Sequence, residues 1–245
     1  RAGREFGGTA FLIGHPGRER IPGRLFIYAV TNWHVACRCG ASCLRINKVD
    51  GEPEIFPFGP DEWEFDQRFD IAVIHVPLKT DIHRFKLITT GSFVTKEYVQ
   101  KAKIGPGDDV FMVGRFIDHD GGPINRPALR FGNISVMPFP TAQPFDRPLT
   151  DAYCIDLHSR SGYSGSPVMV YRTLGSDLTP PPKPSYSPRL GIQYLPPMND
   201  MFVGLLGIHY GQFPEDWELR DAKRWEPDNP TARPHSVPLL TEGKY

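Results

Sequence analysis

Three short segments carry residues whose types and spacing could do covalent chemistry. The first is Thr31-Asn32-Trp33-His34-Val35-Ala36. The second is Asp70-Ile71-Ala72-Val73-Ile74, an acid at the mouth of an apolar run. The third is Ser161-Gly162-Tyr163-Ser164-Gly165-Ser166-Pro167-Val168, a Gly/Ser turn leading into another apolar run. A serine hydroxyl is a weak nucleophile at its own pKa. It needs a base within hydrogen-bond reach, and the base needs an orienting acid. Histidine suits the base because its ordinary pKa lies near neutrality. A buried carboxylate fixes the tautomer and stabilises the imidazolium. An oxyanion needs converging backbone N–H groups, and glycines let a chain turn tightly enough to aim them. Gly162-Tyr163-Ser164-Gly165 supplies such a turn, with donors at Gly162 and Ser164. A rival serine motif, G-x-S-x-G on a strand-to-helix elbow, needs the order serine, acid, histidine. Here position 166 is Ser, Pro167-Val168-Met169-Val170 reads as a strand, and the His and Asp precede the serine, so that arrangement fails.

The elements that must position these residues read as short strands. Runs of apolar β-formers span Thr9 to Ile13, Leu25 to Val30, Ile71 to Val76, Asp109 to Val113, Ile134 to Met137, Ala152 to Leu157, Pro167 to Tyr171 and Val203 to His209. Gly, Pro, Asn and Asp punctuate them, as antiparallel strands and turns require. The 24 glycines and 26 prolines make up about a fifth of the 245 residues, which argues for many short strands over a helical bundle. No repeat of 20–50 residues is visible, which excludes a solenoid or propeller. Leu178 to Met198 holds seven prolines and reads as a long, partly extended surface loop, since proline lacks a donor and fixes φ. Trp217, Leu219, Ala222 and Trp225 fall at loosely helical spacing and predict a short amphipathic helix over Glu215 to Trp225.

Taken in order, the three chemical segments resemble the trypsin-like, chymotrypsin-fold serine proteases. Thr31-Asn32-Trp33-His34-Val35, Asp70-Ile71-Ala72-Val73 and Gly162-Tyr163-Ser164-Gly165-Ser166-Pro167 follow that family's order of His, Asp, Ser. Gly8-Thr9-Ala10-Phe11-Leu12-Ile13 is similar to its opening strand. Gly105 to Gly114 and Gly132-Asn133-Ile134-Ser135 are similar to the start of the second barrel in HtrA-type bacterial proteases. The resemblance runs from about Gly7 to Gly211. It implies an all-β fold of two six-stranded antiparallel barrels, with the active site in the cleft between them. The expected unit is 1–245, with a first barrel over about 1–100, a second over about 101–245, and a proline-rich insert over about 172–200. The implied roles are His34 as general base, Asp70 as orienter, Ser164 as nucleophile, and the Gly162 and Ser164 amides as oxyanion hole. The implied function is a serine endopeptidase acting on a polypeptide substrate through an acyl-enzyme, with no metal and no cofactor. Two alternatives stay open: a catalytically silent protease-fold peptide-binding module, and a latent effector domain answering to a regulatory partner or parent chain.

Specificity is read from a later strand. Gly207-Ile208-His209-Tyr210-Gly211 resembles the pocket strand of glutamyl endopeptidases, where a Ser or Thr five residues before the nucleophile also faces the pocket; Ser159 holds that position here. A His and a hydroxyl can donate to a carboxylate or carboxamide oxygen, whereas an apolar side chain would leave them unpaired. This implies a preference for Glu, Gln or Asp before the scissile bond. The position six before Ser164, acidic in trypsin, is His158, which argues against Lys or Arg there. The alternative for His209 is a strand histidine satisfied by packing and one hydrogen bond.

Cys37, Cys39 and Cys43 follow His34 closely, and Cys154 stands apart. A zinc site needs four ligands. A disulfide within the 37–43 loop is what the resemblance offers, and free thiols are the third reading. His15, His75, His83, His119 and His235 show no partner pattern in the sequence and read as surface or packing residues. Lys+Arg and Asp+Glu are both 28, giving no basic excess of the kind a general nucleic-acid binder carries. No apolar run approaches the roughly 18 residues of a membrane-spanning helix. The chain opens at Arg1, as a processed product or excised domain would, which leaves its compartment open; the lack of a signal-like or membrane-spanning segment in the sequence leans toward a cytoplasmic location.

Overall fold

The computed structural model describes residues 7–17, 25–40, 43–115, 124–143, 147–157, 162–172, 184–187, 191–194 and 202–211. Fourteen strands run through them: β1 Phe11–His15, β2 Phe26–Thr31, β3 Cys43–Asn47, β4 Pro53–Pro57, β5 Glu64–Asp66, β6 Ile71–His75, β7 Ile88–Thr89, β8 Asp109–Gly114, β9 Ala128–Gln143, β10 Arg147–Asp156, β11 Pro167–Arg172, β12 Pro184–Ser187, β13 Gly191–Tyr194 and β14 Phe202–Ile208. One α-helix, α1 Lys96–Ala102, joins the halves. Its N-cap Thr95 accepts the Tyr98 amide, and Lys103 ends it in the left-handed region. All eight strand runs read from the sequence are strands, and the chain is mostly β.

Two five-stranded sheets organise the chain. The first has the order β5-β6-β2-β1-β7 and the second β10-β9-β8-β11-β14. All pairings are antiparallel except the two-residue contact of β1 with β7. Six strands per sheet are not reached among the described residues, because β3 and β4 pair only with each other. Pro53 and Pro57 at the ends of β4 lack N–H donors, which suits β4 to an edge.

Alternation sets the faces. In β6, Ala72 and Ile74 point into a core with Leu12, Ala29, Ile46, Trp63 and Val76. In β8, Val110 and Met112 are wholly buried; Val110 packs with Ile104, Ile134, Val168 and Val170 in a second core. A third cluster joins the sheets. Phe11 and Val30 from the first meet Met169 and Leu205 from the second, with Ile71 and Val73 packed against them. Strands of the first sheet thus bury residues on both faces, as expected for near-continuous runs such as Ile71-Ala72-Val73-Ile74. This shared core holds the His34 and Asp70 segments against the half that carries Ser164.

The proline-rich stretch departs from the loop reading. Pro184–Ser187 and Gly191–Tyr194 pair as a two-stranded ribbon, Pro184 opposite Tyr194 and Ser187 opposite Gly191. Ser185-Tyr186 and Ile192-Gln193 are proline-free β-compatible pieces, and Pro184 takes the first strand position, where its missing donor costs least. The helix read over Glu215 to Trp225 lies outside the described residues.

Candidate active site

His34 opens a short wide turn directly after β2. The turn closes by Cys39 N–H donating to the His34 carbonyl at 2.8 Å, an i→i+5 bond. Such turns recur at functional sites. Ala36, fully buried in the first core, anchors the turn from below. Asp70 is wholly buried and sits at φ 53°, a left-handed conformation that Asp tolerates better than most residues. Its carbonyl accepts the Trp33 N–H at 3.2 Å and Asn32 Nδ2 at 3.0 Å. Its carboxylate accepts the His34 backbone N–H on Oδ1 at 3.0 Å and His34 Nδ1 on Oδ2 at 2.7 Å. From the second sheet, the Thr150 hydroxyl donates to the Arg68 carbonyl at 3.0 Å, two residues before Asp70.

With Nδ1 donating to a buried carboxylate, the imidazole is held as the tautomer whose Nε2 can take a proton. A nearby group with a shifted pKa is His209. Burial pushes its imidazole down to about 4; a hydrogen bond with the Tyr163 backbone works the other way, and the neighbouring His34 ring lowers it further. His209 is therefore neutral near pH 7.

Ser164 lies on the turn that enters β11. Gly162 and Gly165 take φ of 94° and 86°, as their place in this turn requires. A Cβ on Gly165 would lie 2.1 Å from the Thr9 carbonyl oxygen and 2.3 Å from Thr31 Oγ1. Tyr163 is fully buried between them; its hydroxyl accepts Arg130 Nε at 3.3 Å, and the guanidinium carbon lies 5.8 Å from its ring centroid. Ser166 N–H donates to the Tyr163 carbonyl and Gly165 N–H to the His209 carbonyl, both at 2.9 Å. Neither the Gly162 nor the Ser164 amide donates to a described residue.

Of the residues expected in the site, the structure brings His34 and Asp70 into direct contact. It brings His209 beside the Ser164 turn through the bond from Gly165. A Cβ on Gly8 would lie 2.6 Å from Val35 Cγ1 and 2.8 Å from the Ser164 carbonyl oxygen, so the segment after His34 and the Ser164 turn pack on the same glycine. The Ser164 hydroxyl makes no hydrogen bond to the His34 ring. Ser159 lies outside the described residues. Cys37, Cys39, Cys43 and Cys154 are free thiols, which agrees with the free-thiol reading of the sequence and leaves the disulfide alternative in the 37–43 loop unformed. Cys37 packs on the first core while Cys39 and Cys43 face solvent, and burial raises the Cys37 thiol pKa. Thr9, Arg115 and Arg130, all in contact with the Ser164 turn or with Thr9, were not singled out by the sequence. Thr9 lies two residues before β1, and nothing in its type marks a contact across more than 150 residues.

The chain is a mostly β protein whose sheets meet over the His34, Asp70 and Ser164 segments. Solved structures similar to it include a protease domain and an HtrA-type protease. The MamO protease domain from Magnetospirillum magneticum is 14% identical, with 83% of this chain and 94% of that chain covered at a TM-score of 0.43. The HtrA-type protease AlgW with a decapeptide is 18% identical, with 81% of this chain and 47% of that chain covered at 0.42. Deg5 is 15% identical, with 67% of this chain and 75% of that chain covered at 0.39. No family model and no curated protein matches the chain.

Proposed function

We propose that this chain is a serine endopeptidase of the chymotrypsin fold that cleaves polypeptides through an acyl-enzyme. Ser164 Oγ attacks the peptide carbonyl while His34 Nε2 takes its proton. Asp70 holds the imidazolium that forms. The Gly162 and Ser164 amides receive the oxyanion. His34 returns the proton to the leaving amine, and a water repeats the cycle to free the acid and restore Ser164. Nucleophile, base and donors are all protein groups, so the mechanism requires no cofactor. Substrate binding brings Ser164 and His34 into hydrogen-bond contact, since such bonds are often long in the free enzyme and tighten in the Michaelis complex.

The observation that carries this reading is the two-point grip of Asp70 on His34, by a carboxylate with no solvent exposure. A buried carboxylate is costly unless it has such partners. A grip that fixes both the backbone and the ring of one histidine suits a general base. The unit proposed is 1–245, with six-stranded barrels over about 1–100 and 101–245 and the proline-rich insert over about 172–200. His209 and Ser159 form the proposed pocket for a Glu, Gln or Asp side chain. A neutral imidazole and a hydroxyl in a partly buried pocket suit a carboxamide or carboxyl oxygen better than an apolar group.

The test is digestion of a diverse peptide library beside the Ser164→Ala variant, with cut sites read by mass spectrometry. The parent is also labelled with a fluorophosphonate. Cuts that vanish in Ser164→Ala, falling after Gln, Glu or Asp, are expected, with label on Ser164. Cuts after other residues keep the peptidase and reject the pocket. Neither cutting nor labelling overturns the peptidase in favour of a peptide-binding module.

A further inference from the structure

Thr9 grips the turn that carries Ser164 at two points and ties it to the strand that leads into His34. Its backbone N–H donates to the Ser164 carbonyl at 2.7 Å. Its hydroxyl donates to the Gly162 carbonyl at 2.9 Å and accepts the Arg115 N–H, also at 2.9 Å. Its own carbonyl accepts the hydroxyl of buried Thr31 at 2.7 Å, three residues before His34. The amide, hydroxyl and carbonyl of this one side chain and its backbone are therefore all engaged, by both halves of the molecule.

A carbonyl and the following N–H belong to one rigid plane, so holding one aims the other. Thr9 pins the peptide after Gly162 and the peptide after Ser164. The second of these also donates from Gly165 to the His209 carbonyl. Between the two pinned planes lies the Tyr163–Ser164 peptide. Its N–H is one of the two donors proposed for the oxyanion, and its carbonyl accepts the Ser166 N–H at 2.9 Å. With both flanking planes fixed, this peptide has little freedom to rotate its N–H away from the site. We propose that Thr9 is a positioning residue whose hydroxyl holds the Ser164 turn in its oxyanion-binding geometry. The catalytic consequence rests on the peptidase reading above; the clamp itself does not.

The two variants that separate hydroxyl from shape are Thr9→Val and Thr9→Ser. Val keeps the branched outline and the backbone bonds but leaves the Gly162 carbonyl and the Arg115 amide without the hydroxyl. Ser restores it. Loss of one oxyanion donor outright costs about 10²–10³ in kcat, so misplacing one is expected to cost roughly 10–100-fold. In Thr9→Val, kcat should fall by that factor with KM within about threefold, and affinity for a peptide aldehyde should fall in step with kcat/KM. Binding of the uncleaved peptide, measured in the Ser164→Ala background, should not change. Amide exchange at Gly165 and Ser166 should quicken about tenfold. Thr9→Ser should stay near the parent in every readout. Unchanged kcat and unchanged exchange in Thr9→Val overturn the proposal, as does equal loss in Thr9→Ser. A parent with no Ser164-dependent turnover overturns the peptidase reading instead, and the exchange rates then decide the clamp alone. If Thr9→Val does not fold, Thr9→Ala, which also keeps the backbone bonds, is read by the same criteria.

Discussion

Asp70 holds His34 at two atoms, accepting the backbone N–H at 3.0 Å and ring Nδ1 at 2.7 Å. The two carboxylate oxygens divide the work, Oδ1 fixing where the turn begins and Oδ2 fixing the tautomer. Asp70→Asn keeps the shape but puts an N–H₂ where one acceptor stood. If the amide oxygen keeps the backbone bond, the ring faces a donor and must adopt the other tautomer, with its proton on Nε2. Turnover should fall about 10³–10⁴-fold with KM little changed. Steady-state kinetics on one peptide decides it, and near-parental turnover would remove Asp70 from the mechanism.

Gly165 packs with no room to spare against Thr9 and against Thr31 of β2. A methyl group there would meet the Thr9 carbonyl oxygen at 2.1 Å and Thr31 Oγ1 at 2.3 Å, in a backbone at φ 86°. Neither neighbour is a flexible tip: one is backbone and the other a buried threonine. Gly165→Ala is expected to destabilise the chain by roughly 2–4 kcal/mol, combining left-handed strain with displacement of backbone. Urea unfolding measures this; a loss under about 0.5 kcal/mol would mean the turn can be moved cheaply and that the packing described is loose.

The strands were legible because their signals are local, and the His34–Asp70 pair because its two segments stand in the order of the family they resemble. Ile71-Ala72-Val73-Ile74 is an apolar run after an acid, and Thr31-Asn32-Trp33-His34 follows a run of β-formers. What stayed hidden depends on partners far along the chain. Thr9 meets Gly162 across the two sheets, and Arg130 meets Tyr163; neither threonine nor arginine declares such a partner by type. His83 showed no pattern in sequence, yet it is buried and bridges Glu54 and Lys79, because the turn over 79–83 brings it back on its own backbone. The ribbon inside the proline-rich stretch was hidden for the opposite reason: seven prolines outweighed the two short pieces between them.

The cysteines give a prediction independent of the peptidase reading. Cys39 and Cys43 are exposed free thiols, whereas Cys37 is packed on the first core with its pKa raised by burial. Thiolate is the reactive form, so access and pKa act in the same direction. Under native conditions at pH 8, iodoacetamide should modify Cys39 and Cys43 first and Cys37 at least about tenfold more slowly. Peptide mapping of a time course reads the order. Rapid loss of Cys37 would show that the turn after His34 opens readily, and an unreactive Cys39 or Cys43 before reduction would restore the disulfide.

His209 couples acid stability to the proposed pocket. Its imidazole titrates near 4 in the folded chain, against about 6.5 when unfolded. Between these values the unfolded chain binds the extra proton, so stability rises with pH across that window and is lost as pH falls from 6.5 toward 4. The full loss from this one group is of the order of 3 kcal/mol. His209→Gln removes the titration, and its unfolding free energy should vary less between pH 7 and pH 4.5 than the parent's. The same neutrality bears on specificity. At pH 7 an uncharged His209 offers no countercharge to a Glu side chain, so the kcat/KM ratio of a Gln to a Glu substrate should exceed one. The ratio should fall toward pH 5 as the Glu carboxyl gains its proton, while any loss of His34 activity cancels between the two substrates. A ratio that stays flat with pH, in a chain whose stability still responds to His209→Gln, would keep the buried histidine and remove it from substrate recognition.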